Sequence, residues 1–364
     1  MASEDPGYAD QLRSYETALL GFLRAFEMVQ ENLRIGEVRP SQAELVAATG
    51  DTFRRFNAQF AETTPPEELR QFHQDLVVAV AHLERSLNFF MTQPGPNWTL
   101  AFLHGRNSLV RGLYALYELR ARLPIISAYF NVEGSAIAAD LPPDGDSPAP
   151  RGFVHQERTE TRGKYSLYVP ENYSSNRQWP LIICLHGGYG QGYEYIWTWL
   201  RSARTRGYFL LSPKSLGETW SMTMNSPDTL SVMRMLEEVS EAYAIDRSRT
   251  YLTGLSDGGI FTYIMGLERH EIFTGLAPVA GALHTAVDPM LRTGTGRELP
   301  IFVIHGVHDF IFPVSFTRQT NELLKMLKYD VKYEELPEWG HAFPYSINER
   351  LVMPWFESLP PRAE

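Results

Sequence analysis

A serine set between two glycines is the first feature of this chain that could do chemistry. Gly254-Leu255-Ser256-Asp257-Gly258 has the spacing G-x-S-x-G, a pattern that about one chain of this length in ten carries by chance. Its surroundings add weight. The apolar run RTYLT leads in, and GGIFTYIMGLE leads out with the pattern of a helix. A strand turning sharply into a helix holds a serine hydroxyl exposed on a strained turn, where side chains at Gly254 or Gly258 would collide with neighbouring backbone. An ordinary helix cap would account for Ser256 but not for both glycines. Ser256 is therefore the candidate nucleophile.

A serine hydroxyl is a poor nucleophile at neutral pH; it needs a base, and the base needs an orienting group. On a turn of this kind the three follow in the order Ser, acid, His. Asp309 stands just past the buried strand in IFVIHGVHDFIFP, where a catalytic acid would project. His341 stands in the glycine-containing loop LPEWGHAFP, and of the ten histidines it is the best placed. Glu338 is the fallback acid, only three residues from His341. His305, His308 and Asp309 do not match a familiar zinc spacing, so no metal is expected, and His305 is read as shaping the acid loop by hydrogen bonds. A tetrahedral intermediate also needs backbone N–H donors. Asp257, after the nucleophile, is one candidate. The glycine-rich segment LHGGYG supplies the other, Gly188 first and Tyr189 next. That segment lacks the Lys-Ser/Thr of a phosphate loop and the spacing of a dinucleotide site.

These groups need elements to hold them. From residue 153 onward, β-rich runs alternate with helical ones: FVHQERT, KYSLYVP, LIICLH, YFLLSP, RTYLTG, GLAPVAG, IFVIHG and VKYEELP, with helices from about Pro227 to Tyr243 and from Val314 to Leu327. LIICL and IFVI read as strands buried on both faces. The pattern predicts an α/β domain over 153–364, a mostly parallel sheet flanked by helices with its active groups at the C-terminal ends of strands. Residues 1–125 read instead as an all-α bundle of four helices. Leu12, Tyr15, Leu19, Phe22, Phe26, Val29 and Leu33 share one helix face. Ser41 with Glu44, and Thr64 with Glu67, read as capping boxes for the second and third helices. Ser108 to Arg122 forms the fourth, stopped by Pro124. A linker over 126–152 is clearest in ADLPPDGDSPAPRG.

Composition excludes several partners. The formal net charge is -10, and no Lys/Arg run is present, which argues against a nucleic-acid partner. Cys184, the single cysteine, lies in an apolar strand and reads as a buried hydrophobe. No apolar run approaches a membrane span and no secretory signal is visible, so a cytoplasmic protein is expected. The helical domain is a candidate for homo-oligomer formation.

The segments LIICLHGGYGQG, AIDRSRTYLTGLSDGGIFTYIMG, LPIFVIHGVHDFIFP and the GHAFP around His341 together make residues 150–358 similar to the α/β-hydrolase superfamily. The resemblance is to the esterase branch with feruloyl and acetyl-xylan esterases, polyhydroxyalkanoate depolymerase-like esterases and phospholipase/carboxylesterases. It implies that Ser256 attacks a carbonyl, His341 relays the proton and Asp309 orients His341, with no cofactor. The expected substrate is a small-molecule carboxylic ester, aryl or short-to-medium acyl, because Tyr189, Tyr193, Trp220, Phe310 and Trp339 could wall the site with aromatics. Tyr195, Trp197, Trp199, Phe312 and Phe343 lie in the same loops, and about half of all these rings should be core. A peptidase or acyltransferase could use the same three groups, and a binding or oligomerisation protein could carry a hydrolase-like domain.

Overall fold

The computed structural model describes residues 6–34, 37–49, 52–95, 98–135, 149–157 and 163–363. The chain divides into two units, Met1–Glu133 and Gly134–Glu364.

Aromatic and aliphatic stripes build the first unit. Its helices are α1 (Pro6–Glu31), α2 (Val38–Thr49), α3 (Thr52–Ala61), α4 (Arg70–Phe90), α5 (Trp98–Leu119) and α6 (Pro124–Tyr129). Tyr15, Leu19, Phe22, Phe26 and Val29 of α1 are all buried, as is Leu33 just beyond its end. Phe22 stacks on Phe53 of α3 with ring centroids 3.8 Å apart, and Phe26 meets Phe90 of α4 edge-on.

The unit has six helices rather than four, α3 and α6 being the additions, and its helix starts depart from expectation at three places. Ser41 does not cap α2, which already begins at Val38; Pro40 sits in the first turn, where a missing N–H costs nothing. Thr64 does not cap α4 either, because a short 3-10 turn, Glu67–Leu69, precedes it and no side chain caps that turn. Pro124 begins a helix instead of stopping one. The first N–H groups of α6 find their acceptor far back in the chain: Glu16 Oε2 takes the N–H of Ile125 at 2.8 Å and of Ile126 at 3.2 Å. The helical unit therefore runs into the expected linker. Residues 136–148 of that linker lie outside the described residues.

In the second unit eight strands form one sheet: β1 (Gly152–Glu157), β2 (Lys164–Val169), β3 (Trp179–Leu185), β4 (Phe209–Pro213), β5 (Ile245–Leu255), β6 (Gly275–Val279), β7 (Ile301–Gly306) and β8 (Val331–Leu336). Their order is β1-β2-β4-β3-β5-β6-β7-β8. β1 and β2 pair antiparallel, β2 pairs antiparallel with β4, and every pairing from β4 to β8 is parallel. All residues of β3, β4, β6 and β7 are buried, as expected of strands covered on both faces. The helices are α7 (Gly192–Tyr195), α8 (Leu200–Arg206), α9 (Pro227–Ala242), α10 (Asp257–Glu268), α11 (Asp288–Thr293), α12 (Val314–Met326), α13 (Tyr345–Ile347) and α14 (Met353–Ser358). Ile260, Phe261, Ile264 and Leu267 of α10 join the core with Leu252 of β5 and Leu276 of β6. This mostly parallel, helix-covered sheet is the α/β-hydrolase arrangement, and it brings the loops after β3, β5, β7 and β8 to one edge. Among the described residues no helix is long and apolar enough to cross a membrane.

The long-range cap on α6 is testable. Glu16→Ala should lower the unfolding free energy by about 1–3 kcal/mol by orphaning two N–H groups, while Glu16→Gln, which can still accept from both, should cost less. Denaturant unfolding reads the difference, and faster hydrogen exchange at the Ile125 and Ile126 amides should localise it.

Candidate active site

The turn between β5 and α10 is strained as its glycines require. Ser256 has φ 58° and ψ -121°, a conformation sparsely populated by L-residues. Its N–H donates to Val279 O at 3.0 Å, and its carbonyl accepts from Ile260 N at 2.9 Å. Backbone crowds both flanks. A Cβ at Gly254 would lie 2.3 Å from Gly258 O, and one at Gly258 would lie 2.4 Å from Leu185 O. Neither position admits a side chain, so the end of β5 can approach the end of β3 closely enough to force the turn.

Asp309 and His341 meet from neighbouring strands. Asp309 Oδ1 accepts the N–H groups of Ile311 at 2.9 Å and Phe312 at 2.8 Å, which curls the loop after β7 around the carboxylate. Its Oδ2 lies 2.7 Å from His341 Nδ1 and 3.3 Å from His305 Nε2. His305, fully buried, also bonds Phe312 O at 2.7 Å and Thr317 Oγ1 at 2.9 Å. The loop carrying His341 is tied to the acid loop by His308 N–H donating to Trp339 O at 3.0 Å. Burial pushes the Asp309 carboxyl up, but hydrogen bonds from His305 and His341, the His341 charge and the Phe312 N–H outweigh it and hold the group well below the usual carboxylate range. An ionised Asp309 fixes the His341 proton on Nδ1 and leaves Nε2 as the basic nitrogen. Ser256 stands at the end of β5, one strand removed from β7, on the same edge. No hydrogen bond joins its hydroxyl to His341 in this structure.

The loop after β3 is held by a histidine that nothing in the sequence pattern singles out. His186 Nδ1 lies 2.6 Å from Gly187 O, and its Nε2 accepts the Ser215 N–H at 3.1 Å. Trp220 covers its ring and donates Nε1–H to His186 O at 2.7 Å. Burial, opposed by the Gly187 carbonyl and assisted by the charge of Lys214, lowers the His186 pKa from 6.5 to about 3. The neutral imidazole thus pins the turn. Asp228 fixes the neighbouring loop: it accepts from the N–H of Leu216 and Ser221, each at 2.8 Å. In the sequence Asp228 looks like any acidic residue in a helix's first turn, and nothing marks it for this duty.

Among the described residues the N–H groups of Gly188 and Asp257 have no protein acceptor. Tyr189 is a correction: its N–H donates to Glu218 O at 2.9 Å, so it is not free for an oxyanion. Its side chain is 67% exposed, as is Phe310 at 56%. Tyr193 is half-buried. Trp220 and Trp339 are corrections to the aromatic wall, being only 2% and 5% exposed. Trp220 stacks on Phe261 of α10 and belongs to the core. Tyr195, Trp197 and Trp199 are likewise buried. Phe312, half-buried, has its ring 5.8 Å from that of His341.

Residues 223–351 match a family model described as Phospholipase/Carboxylesterase. The chain is 26% identical over 195 residues to a protein named "Probable feruloyl esterase C" from Aspergillus niger, covering 52% of this chain and 67% of that one. It is 29% identical over 150 residues to a bifunctional acetylxylan esterase/xylanase from Neocallimastix patriciarum, covering 39% of this chain and 21% of that one. A crystal structure of a thermostable esterase is 22% identical with a TM-score of 0.48, covering 57% of this chain and 63% of that one. The chain thus spans about two thirds of the first relative's length and far less of the second's.

The neutral His186 sets an acid limit on stability. Its folded pKa lies below its ordinary value, so the unfolded chain binds the extra proton between them, and stability must fall as pH drops from 6.5 towards about 3. Melting temperatures measured across that range should decline more steeply in the wild type than in His186→Gln, which cannot titrate.

Proposed function

We propose that the second unit, an α/β-hydrolase of the esterase branch, cleaves carboxylic esters with Ser256 as nucleophile, His341 as general base and Asp309 as its orienting acid. The observation that carries this is the 2.7 Å Asp309–His341 bond at the sheet edge where the strained Ser256 turn also ends. The Ser256 hydroxyl attacks the ester carbonyl carbon and passes its proton to His341 Nε2. Asp309 stabilises the resulting imidazolium. The N–H groups of Gly188 and Asp257 receive the oxyanion. Collapse expels the alcohol, which takes the proton from His341 and leaves an acyl-enzyme on Ser256. Water, activated by the same histidine, then releases the acid. The serine–histidine hydrogen bond tightens as substrate binds.

Exposed Tyr189, Phe310 and Ile311 lie on the loops after β3 and β7, the two that carry the oxyanion donor and the acid. Apolar surface at this edge suits an aryl or short-to-medium acyl ester.

Hydrolysis of p-nitrophenyl esters from acetate to decanoate should show rapid turnover with an optimum at short-to-medium chains. Ser256→Ala should abolish it, and Asp309→Asn should lower kcat by about 10⁴-fold by presenting the wrong His341 tautomer. Turnover that survives in Ser256→Ala would remove the serine from its role.

A further inference from the structure

The side chain beside the nucleophile carries a charge for which ester cleavage has no use. While Asp257 offers its N–H towards the oxyanion, its carboxylate folds against the other donor: Oδ2 lies 2.7 Å from where a Cβ on Gly188 would stand. The same oxygen accepts a hydrogen bond from Thr219 Oγ1 at 2.5 Å. No cation pairs with Asp257 among the described residues. The only lysine or arginine in 214–220, Lys214, donates instead to Ser215 O, Ser215 Oγ and Gly217 O. A carboxylate therefore sits between the two halves of the oxyanion site with one hydroxyl as its partner. In a partly desolvated position such a charge acts strongly on any other charge within a few ångströms.

We infer that Asp257 is a specificity-determining residue, a charge filter beside the scissile carbonyl that rejects esters whose acyl chain carries a carboxylate and admits neutral and cationic ones. This rests on the ester-hydrolase reading above. The filter is distinct from the backbone role of the same residue: the N–H serves every ester alike, whereas the carboxylate separates them by charge. It also differs from a purely structural role in tying the 214–220 loop to the turn, because asparagine can still accept from Thr219 and so preserve that tie.

The test compares p-nitrophenyl butyrate, mono-p-nitrophenyl glutarate and p-nitrophenyl 4-(trimethylammonio)butyrate, which are neutral, anionic and cationic esters of similar length. The wild type should cleave the butyrate at least about tenfold better in kcat/KM than the glutarate, and Asp257→Asn should narrow that ratio about fivefold or more, whatever it does to the absolute rates. Thr219→Val, which keeps the charge and removes its partner, should hold or widen the ratio. In the wild type, raising ionic strength from about 20 mM to about 500 mM should speed the anionic ester relative to the neutral one, and this dependence should be weaker in Asp257→Asn. The salt comparison on the wild type stands even if the variant folds poorly. Equal neutral-to-anionic ratios in wild type and Asp257→Asn, with all three esters cleaved, would overturn the filter alone. No cleavage of any ester, together with no labelling of Ser256 by a fluorophosphonate, would overturn the hydrolase reading beneath it.

Discussion

Backbone packed against backbone at the end of β5 is the constraint on which the second unit's chemistry depends. A residue held at φ 58° and ψ -121° is under local strain, of order 1–3 kcal/mol, and persists only where its surroundings leave no alternative. Here they leave none. Gly254 and Gly258 let carbonyl groups of α10 and β3 occupy the space of a side chain, and the Ser256 N–H is fixed by the end of β6. The strain is carried by the sheet itself, since β3, β5 and β6 are adjacent and parallel. An element that can hold this turn therefore already has its neighbours in place, and the ends of those neighbours are where the remaining groups stand.

Electrostatics then divides the site into groups that must be charged and groups that must not. Asp309 is kept ionised by four donors, two of them imidazoles, although it is almost fully buried. His186, equally buried, is kept neutral, because its Nε2 must accept an N–H while its other nitrogen faces a carbonyl. The two cases obey one rule: each buried group takes the protonation state that its hydrogen-bond partners can satisfy. Protonating His186 would turn its Nε2 into a donor facing the Ser215 N–H, and the loop that presents Gly188 would lose its anchor.

The features legible in the sequence were those that local pattern encodes. All eight strands stand out as short apolar or β-branched runs bounded by turn residues, and Ser256, Asp309 and His341 are suggested by their positions at strand ends. Where a partner is distant, local pattern fails. Pro124 looks like a helix stop until Glu16, separated from Ile125 by 109 positions, is seen to cap the helix that Pro124 opens. Tyr189 looks like a free donor until Glu218 O is found against it. Trp220 sits in a loop among polar residues, yet its indole fills the space between His186 and Phe261. Ring chemistry suggests a pocket wall; burial and the bond to His186 O assign the ring to holding the loop after β3 in place.

The same distinction separates the parts of this site that the sheet fixes from the part that it leaves free. The turn, the acid–histidine pair and the backbone donors are fixed by the sheet, and changing any of them disturbs the fold or the chemistry. The position between Ser256 and Gly258 is freer. Its backbone is constrained, but its side chain leaves the turn towards the loop after β4, where Thr219 and the Gly188 backbone meet it. A carboxylate there gives the fold nothing that asparagine could not supply, since both accept from a hydroxyl. Its distinguishing property is charge, placed between Thr219 and the Gly188 backbone.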